Sequence, residues 1–308
     1  MARTAGARIA MLTALAMLAF AANSVLNRVA LAQGEANALG YTGIRLASGA
    51  AMLVAIVWWR GAWQGLRGIG GSSAGALALF VYALAFSVAY LDLAAGTGAL
   101  LLFASVQLGM LGWSVFRGDR PGAWEWAGFG VAMLFLVALL APGLEAPEPG
   151  AAVLMILSGF AWAAYTLIGR GSGAPLVDTC GNFLRCLPVA IVLILPGLVW
   201  PHLTLPGTGL GDGTSLAGAI YAVASGALAS ALGYAVWYGV LPSLERGTAA
   251  YVQLTVPALA TAGGVLFISE PLTARLVLCS IGIMAGVALA LWGADRRRQA
   301  AAQRPPAS

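Results

Sequence analysis

The feature that most constrains this chain is its succession of apolar runs, each near the length an α-helix needs to cross a bilayer. A helix rises about 1.5 Å per residue, so a hydrocarbon layer of about 30 Å takes about 20 residues. Ten such runs can be read, at residues 9–31, 36–59, 74–91, 94–116, 125–140, 151–168, 177–199, 215–238, 248–268 and 273–292. Breaks rich in glycine, proline and charge separate them, such as Arg67-Gly68, Pro142-Gly143 and residues 206–213. Within the runs apolar residues cover nearly every helical face, whereas a soluble bundle would keep a polar one. Only 9% of the residues are charged and 60% are hydrophobic, against about a quarter charged in soluble domains. The fold class predicted is therefore an all-α membrane protein with ten transmembrane helices.

The first run follows Arg3 and Arg8 and contains Ala19-Phe20-Ala21, a pattern shared with cleaved signal peptides. Its apolar stretch continues to Leu31 and recurs later in the chain, so it is read as a retained first helix. Ten crossings put both termini on one side. That side collects Arg3, Arg8, Arg60, Arg67, Arg117, Arg120, Arg170, Arg246 and the cluster Arg296 to Arg298. The other side keeps Arg28 and Arg275 beside carboxylates such as Glu35, Asp92 and Glu270. Such an asymmetry places the termini in the cytoplasm of a bacterial inner membrane. The arginine cluster then reads as a stop at the membrane face and not as a nucleic-acid contact, and residues 295–308 as a short disordered tail.

The residue inventory argues against an enzyme. The single histidine, His202, falls in a loop, so there is no HExxH site, and neither a GxSxG elbow nor a P-loop occurs. Asp92 and Asp178 fall at helix ends on opposite sides, which rules out an opposed intramembrane aspartate pair. Cys180, Cys186 and Cys279 lack metal-ligand or CxxC spacing and read as small buried helix residues. No metal or cofactor is expected.

The two halves of the chain resemble each other. Phe160 follows Phe20 at the same separation as Arg185 follows Arg45, and Gly247-Thr248, Ala250, Phe267 and Glu270 repeat Gly96-Thr97, Ala99, Phe116 and Asp119 at a second common separation. Residues 1–148 and 149–294 are thus read as two five-helix repeats. Five is odd, so the second copy enters the membrane from the opposite side. Inverted repeats can exchange conformations, which is the physical basis of alternating access.

The paired halves, an arginine in the second helix of each, Arg246-Gly247-Thr248-Ala249-Ala250, Pro257 and Glu270-Pro271-Leu272-Thr273 resemble the drug/metabolite transporter superfamily. Its ten-helix bacterial exporters, above all those of aromatic amino acids, are the most similar group. The resemblance spans roughly residues 9–293 and implies a basket of helices around a central cavity, with export from cytoplasm to periplasm. Departures are Val106-Gln107 where the second half has Pro257-Ala258, and Asp119 in place of the usual glutamate. They bear on helix bending and loop pairing. The implied function is export of amino acids, preferring phenylalanine, tyrosine and tryptophan. Other amphiphilic metabolites or cationic drugs, with proton coupling, are the alternative. No aspartate or glutamate lies near the centre of any span, which favours facilitated transport. Two halves in one chain suffice for alternating access, so a monomer in the bilayer is expected.

Polar and aromatic side chains inside the spans are the candidates for substrate contact, because lipid makes polar groups costly. Asn23 and Asn27 share a face of the first helix with Phe20. An amide offers both a donor and an acceptor to a zwitterion, although interhelical bonding explains the same pattern. Tyr82, Phe103 with Gln107 four residues on, Trp162, Tyr165, Tyr234 and Trp237 are the aromatic and polar residues expected to line the cavity. Arg45 and Arg185 lie well inside their spans, where an unpaired arginine costs at least about 2.5 kcal/mol. Each reads either as a carboxylate ligand or as a structural clamp, and the clamp is preferred. Pro257 is a structural kink, and the small-residue runs 226–231 and 258–264 permit close helix contact.

Overall fold

Four of the helices begin where a polar N-cap side chain takes a free N–H group of the first turn. A computed structural model describes residues 2–62, 68–118, 120–143, 146–199, 214–244 and 251–302. Helix α1 spans Ala2–Ala32. Asn37 caps α2 (Ala38–Trp59) and Ser72 caps α3 (Ser73–Ala89). They are followed by α4 (Ala95–Phe116) and α5 (Ala123–Leu140). Glu148 caps α6 (Pro149–Ile168), and α7 covers Pro175–Val199. Helix α8 is one continuous span, Leu216–Ser243, capped by Ser215. Helices α9 (Thr255–Ile268) and α10 (Ala274–Ala302) close the chain. Among the described residues nine helices are long and apolar enough to cross a membrane, and α3 is a shorter apolar helix. Asp119, His202, Arg246, Gly247 and Thr248 lie outside the described residues.

The packing obeys the inverted repeat. Exchanging α1–α5 with α6–α10 maps each main contact onto another: α3 on α6 becomes α8 on α1, and α4 on α6 becomes α9 on α1. The pairs α2–α7, α4–α9 and α5–α10 map onto themselves. Small residues allow the closest approaches. At Gly159 of α6 a Cβ would stand 2.7 Å from the Leu102 carbonyl of α4. At Gly226 of α8 it would collide with the Arg45 carbonyl and Ser48 of α2.

Large apolar side chains face outward, as a lipid-embedded surface requires. Trp58 and Trp59 end α2, Trp113 and Phe116 end α4, and Trp124 and Trp126 begin α5, all exposed. Together with Trp292 of α10 they mark one membrane interface. Arg117 and Arg296 lie over the Trp113 and Trp292 rings, at 5.9 and 4.5 Å from their centroids. This interface is on the side of both termini.

The carboxyl-terminal end departs from the expectation. Helix α10 continues through Ala302, past residue 295 where the sequence suggests a disordered tail. The Arg297 guanidinium donates to both oxygens of Glu125, at 2.7 and 3.2 Å, and so ties the extension to the start of α5. Glu125 is buried and also accepts the Gly122 N–H at 3.0 Å.

Candidate functional site: a central cavity

The mixed α- and π-helical course of α8 runs beside the interior cavity. Its middle segment, Ala224–Leu232, is π-helical between two α-helical parts. The π-turn adds a residue per turn and re-aims the side chains that follow, and such turns concentrate at functional positions. Sequence pattern identified this stretch only as small residues suited to close packing. The bulge itself leaves no compositional mark.

Beside it is a cavity of about 450 Å³, within the range of about 300–1,000 Å³ usual for small-molecule sites. Its mouth lies between the α6–α7 connection (Gly169 to Pro175) and the end of α8 at Leu241, on the face that carries both termini. Arg170 and Asp178 line this mouth. The Asp178 oxygens are both engaged, Oδ1 accepting the Gly71 N–H at 2.7 Å and Oδ2 accepting the Ser172 hydroxyl.

The walls are aromatic. Trp162 is the centre of the cluster, stacked on Tyr165 (ring centroids 5.2 Å apart) and on Tyr234 (5.4 Å), with Tyr82 tilted against it at 4.8 Å. Phe20 bridges from α1 to Tyr234 and Trp237 of α8. Tyr165 donates to the Thr179 hydroxyl at 3.1 Å, which holds its ring against α7. Asn23, Tyr82, Phe103, Trp162, Tyr165, Tyr234 and Trp237 all line the cavity. Gln107 does not line it: it is half-buried, one turn further along α4 towards the lipid-exposed Trp113.

The inner end is polar and tightly bonded. Asn27 is fully buried, and its amide donates to the Asn23 carbonyl at 2.8 Å and to Ser225 Oγ at 3.4 Å. Its Oδ1 accepts the Ser87 hydroxyl at 3.0 Å. Ser225 Oγ donates to Asn23 Oδ1 at 2.5 Å. This knot joins α1, α3 and the π-helical part of α8. Tyr82 Oη accepts Arg45 Nη2 at 3.0 Å and Asn23 Nδ2 at 3.4 Å.

Beyond the knot, the far end is closed by an ion pair across the two halves. Arg28 Nε donates to Glu270 Oε1 at 3.0 Å, and Arg28 Nη1 donates to the Tyr90 and Leu91 carbonyls at 3.1 and 2.7 Å. Glu270 Oε2 accepts the Ala95 N–H at 2.9 Å and so caps α4, whose own N-cap side chain is an alanine. Sequence reasoning did not pair Glu270 with Arg28, 242 residues away.

The two repeat-related arginines have unlike surroundings. Arg185 donates to the carbonyls of Gly70 and Gly181, clamping the α2–α3 connection to α7. Arg45 reaches no carbonyl among the described residues. Its guanidinium lies over the Tyr82 and Phe86 rings, 5.3 and 5.0 Å from their centroids, and its Nη1 has no partner. Pro257 is buried near the start of α9, its carbonyl accepting the Thr261 hydroxyl at 2.8 Å.

Ten apolar helices among the described residues, nine of them long enough to cross a membrane, pack as two inverted halves around a cavity and make this a multi-pass membrane protein. Residues 150–292 match the EamA-like transporter family. An uncharacterized protein of Pseudomonas aeruginosa is 47% identical over 292 residues, covering 92% of this chain and 94% of the relative. A protein of known crystal structure, 18% identical, shares the fold with a TM-score of 0.62 over 92% of this chain and 97% of its own. The chain belongs to the EamA-like transporter family, within the drug/metabolite transporter superfamily.

Proposed function

We propose that this transporter exports amino acids across the bacterial inner membrane, with a preference for phenylalanine, tyrosine and tryptophan, by facilitated alternating access. The observation that carries the reading is the cavity itself, with an aromatic wall centred on Trp162 and a polar inner end at Asn23. A planar side chain gains about 0.5–1.5 kcal/mol per well-placed ring contact beyond its burial. The amino-acid backbone would lie at the polar end. Asn23, Tyr82, Phe103, Trp162, Tyr165, Tyr234 and Trp237 are the proposed contacts, and Gln107 has no place among them because it does not face the cavity.

The charge distribution supports the direction. Arg60, Arg117, Arg120, Arg170, Arg296 and Arg297 are on the face of the mouth, and Arg28 and Arg275 are on the other. By the positive-inside rule the mouth and both termini are then cytoplasmic, and the cavity is loaded from inside. Residues 1–148 and 149–294 act as the two exchanging halves of one monomer. Asp178 is the one carboxylate lining the cavity among the described residues, and its oxygens are already bonded. That favours facilitated transport of amino acids over proton-driven export of cationic drugs.

The test is uptake of labelled phenylalanine into liposomes holding the purified protein, with and without a pH gradient, beside Trp162→Ala. Saturable uptake that ignores the gradient and falls at least tenfold in the variant is expected. Uptake no greater than in empty liposomes, from protein shown to be folded, would refute the substrate assignment.

A further inference from the structure

We infer that the inner end of the cavity recognises a carboxylate, the Tyr82 hydroxyl donating to it with Arg45 as the positioning charge behind. Aromatic carboxylates without an amino group are then ligands, and aromatic amines without a carboxylate are not. The inference rests on the cavity being the substrate site proposed above.

The argument begins with the bonding capacity of a phenol, one O–H donor and two acceptor lone pairs. Tyr82 Oη already accepts two N–H groups, from Arg45 at 3.0 Å and from Asn23 at 3.4 Å. Its proton has no acceptor among the described residues, and Tyr82 lines the cavity. A hydroxyl whose lone pairs are both filled, one by a guanidinium, is polarised towards donation. A charged acceptor gives the shortest and strongest partner for it.

The charge has the same sign throughout. Arg45 is 2% exposed, and no carboxylate among the described residues pairs with it. Its contacts are Tyr82 Oη and two ring faces, and Nη1 is unpaired. In a region of low dielectric such a charge is poorly screened. Asp178, the lining carboxylate, is at the mouth with both oxygens occupied, beside Arg170. An ammonium group at the inner end would face Arg45, and the nearest amide acceptor, Asn23 Oδ1, already takes the Ser225 hydroxyl.

The repeat supplies an internal comparison. Arg185, at the position matching Arg45, is held by two backbone carbonyls and serves as a clamp. Arg45 lacks that arrangement, so the shared position does not require it. What Arg45 has instead is a cavity-lining hydroxyl in its grasp.

The test uses the full-length protein in detergent micelles and reads the intrinsic fluorescence of the cavity tryptophans on titration with three probes. These are phenylalanine, 3-phenylpropanoate, which lacks the ammonium, and 2-phenylethylamine, which lacks the carboxylate. Phenylpropanoate is expected to bind within about threefold of phenylalanine and phenylethylamine at least tenfold more weakly, the order expected of one charge-assisted hydrogen bond. Tyr82→Phe keeps the ring and should bring the carboxylate and the amine to within about threefold of each other. Arg45→Lys should retain part of the selectivity and Arg45→Gln lose it. Equal binding of the amine and the carboxylate, an unchanged ratio in Tyr82→Phe, or no response to any probe would overturn the inference. Binding of phenylpropanoate without phenylalanine would sustain it while refuting the amino-acid reading.

Discussion

Glu270→Gln is the perturbation that most directly probes how this transporter closes. Glu270 belongs to the second half and Arg28 to the first, so the two halves cannot part at that end while the pair holds. The carboxylate accepts Arg28 Nε at 3.0 Å and the Ala95 N–H at 2.9 Å. The side chains are 19% and 11% exposed, between the surface and buried limits. A hydrogen bond to a charged group contributes about 1.5–3 kcal/mol, and the partial exposure argues against the larger losses seen for fully buried pairs. Glutamine keeps one acceptor oxygen and loses the charge, so a shift of about 1.5–3 kcal/mol towards the state open at that end is expected, roughly tenfold to a hundredfold in its population. The assay places a cysteine at Ser24, inside the cavity, in a background without Cys180, Cys186 and Cys279. An impermeant thiol reagent is then applied to either face of oriented vesicles. Reactivity from the Glu270 face should rise by the stated factor and that from the mouth should fall. If both stay unchanged while the thermal midpoint drops, the pair is only structural and the reasoning is wrong.

Three further outcomes follow from named contacts. Gly226→Ala should separate α2 from the π-helical part of α8, because the added methyl collides with the Arg45 carbonyl; a loss of about 1–3 kcal/mol, as for overpacked cores, should appear as a lowered denaturation midpoint together with reduced transport. Ser225→Ala removes the donor to Asn23 Oδ1 and an acceptor for Asn27, and should cost about 1–3 kcal/mol, with Ser87→Ala less than additive to it because the two share Asn27. At the start of α6, the Ala151 and then the Gly150 N–H groups hold the Glu148 carboxyl below the ordinary glutamate range. A depressed value means that this cap stabilises above the ordinary glutamate value and is lost as pH falls through the lowered one. Hydrogen exchange at Ala151, corrected for intrinsic rate, should lose protection on acidification in the native chain and stay flat in Glu148→Gln.

Most of the cavity wall was legible in the sequence because helical spacing and polarity are local properties. Asn23, Tyr82 and Trp162 lie deep within apolar runs, where a polar or amphipathic side chain has to be satisfied from within the bundle. Gln107 misled for the same reason: spacing of four placed it on the face of Phe103, but it is half-buried and does not line the cavity. The pairing of the arginines was not legible. Arg45 and Arg185 occupy matching positions, and only the neighbours each one meets make the second a clamp and leave the first against Tyr82.

The sequence by itself determined the number of helices, their membrane setting, the internal repeat and the family resemblance. Apolar length, charge bias and self-similarity are all written along the chain, and lipid enforces them without reference to neighbours. The tertiary structure decided which end of the cavity is shut, where α8 becomes π-helical, and which buried polar groups meet. Asn27 joins Ser87 and Ser225 across separations of 60 and 198 residues, and Arg28 reaches Glu270 across 242. A buried donor takes whatever acceptor packing brings within about 3 Å, and two inverted halves can be packed in more than one way. That choice lies in the assembled bundle, beyond the reach of any single run of residues.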